Sequence, residues 1–192
     1  MNKKYELVKD NSIDYNGHTL YRIKALKDFG EVRKGNLGGY VESESNLSQD
    51  DYCWVSGSAI VFGDARVSGD ARVSGDAWVF GDAWVSGDAR VSGDAWVSGD
   101  ARVSGDARVY GNTRVYDSAE ITHNAQIKSS SDYLVFKNTW SSGRNFTYTK
   151  SNKMWKVGCF YGTGEELVDK AYKDSKESGY RYKLYVDLVN SL

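Results

Sequence analysis

The sequence predicts a mainly β protein built on a parallel solenoid, with a β-hairpin before it and a mixed α+β tail after it. Three observations carry this reading. A valine or isoleucine recurs at every sixth position from Val55 to Ile127, thirteen times without a slip. A small residue sits two positions before each of them: Cys53, alanines from Ala59 to Ala107, then Thr113, Ala119 and Ala125. Proline is absent from all 192 residues, as suits a strand stack in which a missing N–H loses a ladder bond. A strict internal period outranks local propensity, because each repeat is stable only when stacked on its neighbours.

Residues 1–36 read as an N-terminal β cap. Tyr5-Glu6-Leu7-Val8 is a short strand, and Asn16-Gly17 is a strong hairpin turn. Leu20 to Leu26 alternates apolar and polar as the returning strand, and Phe29-Gly30 and Gly35 end the pattern.

The solenoid is expected over 37–128. Val41 and Leu47 already stand one repeat apart, so a degenerate first coil begins there. The step from Leu47 to Val55 is longer by two, which places an insertion near Gln49 to Tyr52. An irregular end coil hides the bare strand edge that would otherwise template aggregation. Within each regular module Ala-x-Val alternates in, out, in. The Gly-Asp pair makes the bend, because glycine tolerates positive φ and aspartate bonds the nearby backbone.

Residues 129–192 change composition sharply. Asp132 to Phe136 is a strand. Asn145–Thr149 and Met154–Gly158 flank the polar turn Lys150-Ser151-Asn152-Lys153 as a hairpin. Thr163-Gly164-Glu165-Glu166 matches a capping box, with Leu167, Val168, Ala171 and Tyr172 behind it at helical spacing. Ser178-Gly179 is expected to break that helix, and Leu184, Tyr185, Leu188, Val189 and Leu192 to form a second helical stripe. Capping the last coil is the expected role of this β-hairpin plus two-helix tail.

The unit Val-Ser-Gly-Asp-Ala-Arg resembles the hexapeptide repeat of left-handed parallel β-helix proteins, with an aliphatic first position and a small fifth one. That resemblance implies a triangular solenoid in which three hexads make one coil. Thirteen hexads then give a little over four coils, a prism on the order of 20 Å tall. Leu37-Gly38-Gly39-Tyr40-Val41-Glu42-Ser43, Asn46-Leu47-Ser48 and the Gly-Asp-Ala-Arg-Val repeats together are similar to small hexapeptide-repeat proteins of phages and prophages. Trimers are common in the β-helix family, so a homo-oligomer, trimer or dimer, is expected.

With three hexads per coil, the outward positions sort onto three faces. One carries Trp54, Arg72, Arg90, Arg108 and Gln126. The second carries Ile60, Phe62, Trp78, Phe80, Trp96, Arg114 and Tyr116, and the third Arg66, Trp84, Arg102 and Glu120. The second face is a contiguous aromatic patch too large to leave bare, so another subunit, the tail or a ligand should cover it. Ile60, Phe62, Trp78, Phe80, Trp96 and Tyr116 are therefore candidate interface residues, and Trp84 on the third face, another departure from the repeat, joins them. Arg72, Arg90, Arg108 and Arg114 are the anion-binding candidates, since a guanidinium grips phosphate bidentately. The plainer reading of the arginines is a surface lattice with the corner aspartates, worth little per pair.

Formal net charge is −1, with 8 basic and 8 acidic groups in residues 1–50, 7 and 11 in 51–128, and 10 and 7 in 129–192. Nothing global attracts duplex nucleic acid or an anionic membrane. No apolar run is long enough to span a membrane as a helix, and Met-Asn-Lys-Lys-Tyr-Glu-Leu lacks the apolar core of a signal peptide. Two cysteines make no disulfide framework, and Cys53 at a small-residue position is expected buried and inert. A cytoplasmic protein is the expectation, in the host cytoplasm if phage-encoded.

No cofactor is expected. His18 and His123 are too few for a three-histidine zinc site. The longer, paired-glycine spacing of calcium repeats is absent, and threonine is too sparse for an ice-binding face. Acyltransferases among β-helix proteins use a histidine base, which leaves His123 at a corner as the third reading. Those enzymes also carry a loop thrown out of a coil, and Val55 to Ile127 has no insertion. The leading expectation is a non-enzymatic scaffold that self-associates through the aromatic face. The alternative is a phage-type binding protein that sequesters a nucleotide or blocks a host protein with the arginine ladder and exposed tryptophan.

Overall fold

The computed structural model of the protein describes residues 3–140 and 143–192. The chain divides into two compact units, Met1–Asp132 and Tyr133–Leu192.

The first unit is a parallel β-solenoid of about five coils with a hairpin on its first coil. Each hexad contributes a two-residue strand, such as Trp78–Val79 or Arg90–Val91. The first residue points out and the second points in. Strands three hexads apart pair in parallel and build three sheets. The first runs Trp54, Arg72, Arg90, Arg108, Gln126. The second runs Tyr40, Ile60, Trp78, Trp96, Arg114. The third runs Arg66, Trp84, Arg102, Glu120. Inside, every repeat valine and isoleucine and every alanine beneath it is almost wholly removed from water. Each such valine or isoleucine contributes on the order of 1.5–3 kcal/mol of burial.

The first coil has the irregularity expected of it. Val55 pairs with Val73, its counterpart three hexads on. Val41 pairs with Val61 and Leu47 with Val67, each two positions beyond that regular step. The two added residues fall between Leu47 and Val55. Asn46, fully buried, closes this coil: its Nδ2 donates to the carbonyls of Gly63 (2.8 Å) and Ala65 (2.9 Å).

The N-terminal hairpin is longer than the sequence suggests. Strand β1 spans Tyr5–Tyr15 and β2 spans His18–Ala25, joined at Asn16 and Gly17, both at positive φ. Strand β3, Leu37–Val41, pairs with β2 on one side and with Ile60–Val61 on the other. The hairpin therefore continues the second sheet and moves its free edge out to β1. There the register slips between Val8 and Ser12, a device that makes an edge a poor template.

Corner geometry explains the glycines. At Gly87, φ is +66° and an added Cβ would lie 2.9 Å from the backbone N of Gly105, one coil on. Asp117 and His123 occupy equivalent corners at φ 57° and 56°. They belong to the last coil, where no further rung of the solenoid stacks, so a side chain is tolerated.

In the second unit four antiparallel strands, Tyr133–Lys137, Asn145–Thr149, Met154–Val157 and Phe160–Gly162, form one sheet in chain order. Helices α1 (Gly164–Asp174) and α2 (Lys176–Asn190) follow, and Phe146, Trp155, Val157, Leu167, Val186 and Val189 form the core. The capping box is present: Thr163 Oγ1 accepts from Glu166 N, and Glu166 Oε2 accepts from Thr163 N at 2.8 Å. The expected break at Ser178-Gly179 is not where the helices separate. The chain turns at Ser175, which caps both helices, and Gly179 lies inside α2. Its role is close approach: a Cβ there would sit 2.2 Å from the Tyr172 ring. The strand Phe160–Gly162 has no counterpart in the sequence reading.

Candidate functional site

The second sheet holds the aromatic cluster, and the strand register stacks its rings. Phe62 and Phe80 lie 5.2 Å apart, 7° from parallel, and Trp78 and Trp96 lie 4.8 Å apart, 5° from parallel. Phe80 meets Trp96 edge-on at 6.1 Å. Such pairs contribute about 0.5–1.5 kcal/mol each beyond their burial.

The upper end of the patch is covered by the chain's own N-terminal hairpin, an occupant absent from the sequence expectation. Tyr15 packs edge-on to Trp78 at 4.6 Å and to Phe62 at 5.8 Å, and Leu20 joins the cluster with Ile60 and Phe62. Ile60 and Phe62 are consequently only 3% and 7% exposed. These two candidate interface residues hold the hairpin down and present no surface to a partner. Trp78, Phe80 and Trp96 remain half-buried, while Tyr116 is 51% exposed. Arg114, grouped with the anion candidates, stacks its guanidinium on Trp96 at 4.8 Å and so belongs to the aromatic row. Trp84 stands on the third sheet, 45% exposed, donating Nε1–H to Ser68 Oγ at 3.1 Å with Arg102 over its ring.

His18 is a clamp. Its Nδ1 lies 2.8 Å from Glu42 Oε1, its ring lies 5.0 Å from Phe62, and Glu42 Oε2 accepts from Gly63 N at 2.8 Å. Burial alone would raise the Glu42 carboxyl, but the His18 ring and the Gly63 N–H outweigh it and hold the group below the usual carboxylate range.

The first sheet carries the arginine ladder. Arg90 pairs in register with Arg72 above and Arg108 below. The expected lattice with corner aspartates does not form there: among the described residues, none of these three guanidiniums makes an ion pair or side-chain hydrogen bond. A side chain on a flat sheet points straight out, whereas the aspartates sit on the bends between sheets. Arg90, Ser92, Arg108, Tyr110 and Gln126 line an open cavity of about 340 Å³ on this face. At the top of the sheet Trp54 is buried against Tyr5 and Phe29, and Arg72 lies against Gly30.

Lys4 escaped sequence reasoning. It is fully buried, and Nζ donates to the carbonyls of Asp50 (2.9 Å) and Cys53 (3.1 Å) and lies 3.3 Å from Cys53 Sγ. Burial pulls the Lys4 ammonium down and pushes the Cys53 thiol up. Cys53 is buried as expected, while Cys159 is exposed. His123 is exposed at its corner. Among the described residues no three His, Cys, Asp or Glu side chains converge as a metal site would require. No helix among them is long and apolar enough to cross a membrane.

A family model described as the YdcK β-solenoid repeat matches residues 65–81, 83–99 and 101–117. Each matched stretch begins at an inward alanine (Ala65, Ala83, Ala101) and covers nearly one coil of three hexads. The chain is thus similar to that repeat over three successive coils. No curated protein matches the chain.

Proposed function

We propose that the protein is a non-enzymatic scaffold that self-associates through the lower half of its second sheet. One observation carries the reading: Trp78 and Trp96 are stacked 4.8 Å apart and nearly parallel on adjacent rungs, with Phe80 beside them and exposed Tyr116 continuing the row. A row of rings locked by strand register loses little ordering entropy on docking. A second copy is the fitting occupant, because an isologous contact sets the same flat row against itself. Aromatic side chains with a flanking arginine are also the residue types that dominate interface energetics.

The hairpin limits the contact area. It roofs Ile60 and Phe62, so the surface offered runs from Trp78 down to Tyr116 on the solenoid alone. The left-handed sense implied by the hexapeptide resemblance, and a phage or prophage type of protein, belong to the same proposal.

The test is the double variant Trp96→Ser with Tyr116→Arg. Both are outward positions, and other rungs already carry polar residues there, arginine, glutamate or glutamine at the place of Trp96 and serine, threonine or lysine at the place of Tyr116, so the coil is expected to stay folded. An oligomer in the parent that falls to 21.4 kDa in the variant supports the reading. An oligomer unchanged by the variant excludes this face as the interface.

A further inference from the structure

The first sheet presents a charge arrangement that the self-association proposal does not use. Arg72, Arg90 and Arg108 stand in register on consecutive rungs, about 4.8 Å apart. Like charges directly opposite on neighbouring strands are destabilising. The fold nevertheless repeats them, and none of the three is paired among the described residues. An anion between them would remove the repulsion.

The surroundings specify the anion further. The cavity of about 340 Å³ between Arg90 and Arg108 is also lined by Ser92, Tyr110 and Gln126. That is at the lower end of the size range of small-molecule sites. Two adjacent guanidiniums can each fork onto a phosphate group. Ser92 adds a hydroxyl donor on the same rung as Arg90. Tyr110, directly after Val109, places a half-buried phenol ring at one side of the cavity. A ring beside a phosphate clamp is the combination that stacks a nucleobase, worth about 1–3 kcal/mol per base.

We infer that the first sheet binds a nucleoside polyphosphate, with Arg90 and Arg108 on adjacent phosphates, Arg72 extending the clamp, and Tyr110 stacking the base. The site is separate from the aromatic row, so either can fail without the other.

The experiment is calorimetric titration of the full chain with ATP, adenosine and pyrophosphate, each without added metal. The expected result is saturable binding of ATP, with pyrophosphate weaker and adenosine weakest. Arg90→Ala and Arg108→Ala should each weaken ATP at least tenfold. Tyr110→Leu should weaken ATP severalfold and leave pyrophosphate unchanged. Arg66→Ala, the same change on the third sheet, should leave ATP unchanged. These outward arginines stand where other rungs carry tryptophan, glutamate or glutamine, so their loss should not unfold the coil, and far-UV circular dichroism checks that. Absence of ATP binding overturns the inference, as does an equal loss with Arg66→Ala. Pyrophosphate binding as tightly as ATP, or Tyr110→Leu without effect on ATP, overturns the assignment of a nucleoside.

Discussion

Lys4 is the residue on which the first coil depends. A lysine near a chain start ordinarily stays in solvent, because its charge is costly to bury. Here it replaces water at the carbonyls of Asp50 and Cys53, in the loop that carries the two extra residues. Lys4→Ala would leave those acceptors unsatisfied inside the protein. A loss of about 3 kcal/mol is expected, measured as a fall in the urea midpoint, and a change under about 0.5 kcal/mol would refute the role. Nothing in the sequence marks this lysine, because the carbonyls its ammonium bonds lie more than 45 positions away. Cys53 was legible for the opposite reason: it occupies a repeat position whose inward direction the period dictates.

The His18–Glu42 clamp has a pH signature. The Glu42 carboxyl is held below its ordinary value of 4.5 in the folded chain. The stabilisation is therefore fully present above about pH 4.5 and is lost as pH falls through the lower folded value. Both side chains are roughly one-third exposed, so the effect should be modest, under about 1 kcal/mol. Glu42→Gln should flatten the acid limb of the stability curve. An acid limb identical to the parent's would rule the clamp out.

At the scale of the element, the corner decides which coils can be altered. Gly87 combines positive φ with a Cβ path blocked by the backbone of Gly105. Gly87→Val should cost about 1–3 kcal/mol. His123→Gly, at the same kind of corner in the last coil, should change stability by no more than about 0.5 kcal/mol. Equal thermal shifts for the two would disprove the stacking explanation. The same geometry explains why a histidine can stand at this corner: the last coil is where the glycine requirement relaxes.

The elements also mark where sequence reading succeeds. The hexad period states which side chains face inward, so the three sheets follow from counting. The hairpin turn at Asn16-Gly17 is equally local. What covers the aromatic face was not legible, because Tyr15 and Leu20 look like ordinary strand residues until the hairpin pairs with β3. Gly179 misled for a related reason: its value lies in the Tyr172 ring packed against it, and glycine in isolation reads as a breaker.

At the scale of the molecule, the solenoid is uniform inside and differentiated outside. Its second sheet is aromatic, its first carries a line of arginines unpaired among the described residues, and its third mixes charges with Trp84. Most departures from a perfect repeat are on the outward positions, where they do not disturb the core; Cys53 and Thr113 inside and Asp117 and His123 at the corners are conservative or confined to the end coils. Self-association through the second sheet is the claim that most needs testing. Multi-angle light scattering of the full chain measures it most directly. Self-association predicts a parent mass of two or more whole multiples of 21.4 kDa, falling to 21.4 kDa when Trp96→Ser and Tyr116→Arg are combined. A parent that runs at 21.4 kDa at every concentration, or a multimer untouched by those two changes, would contradict it.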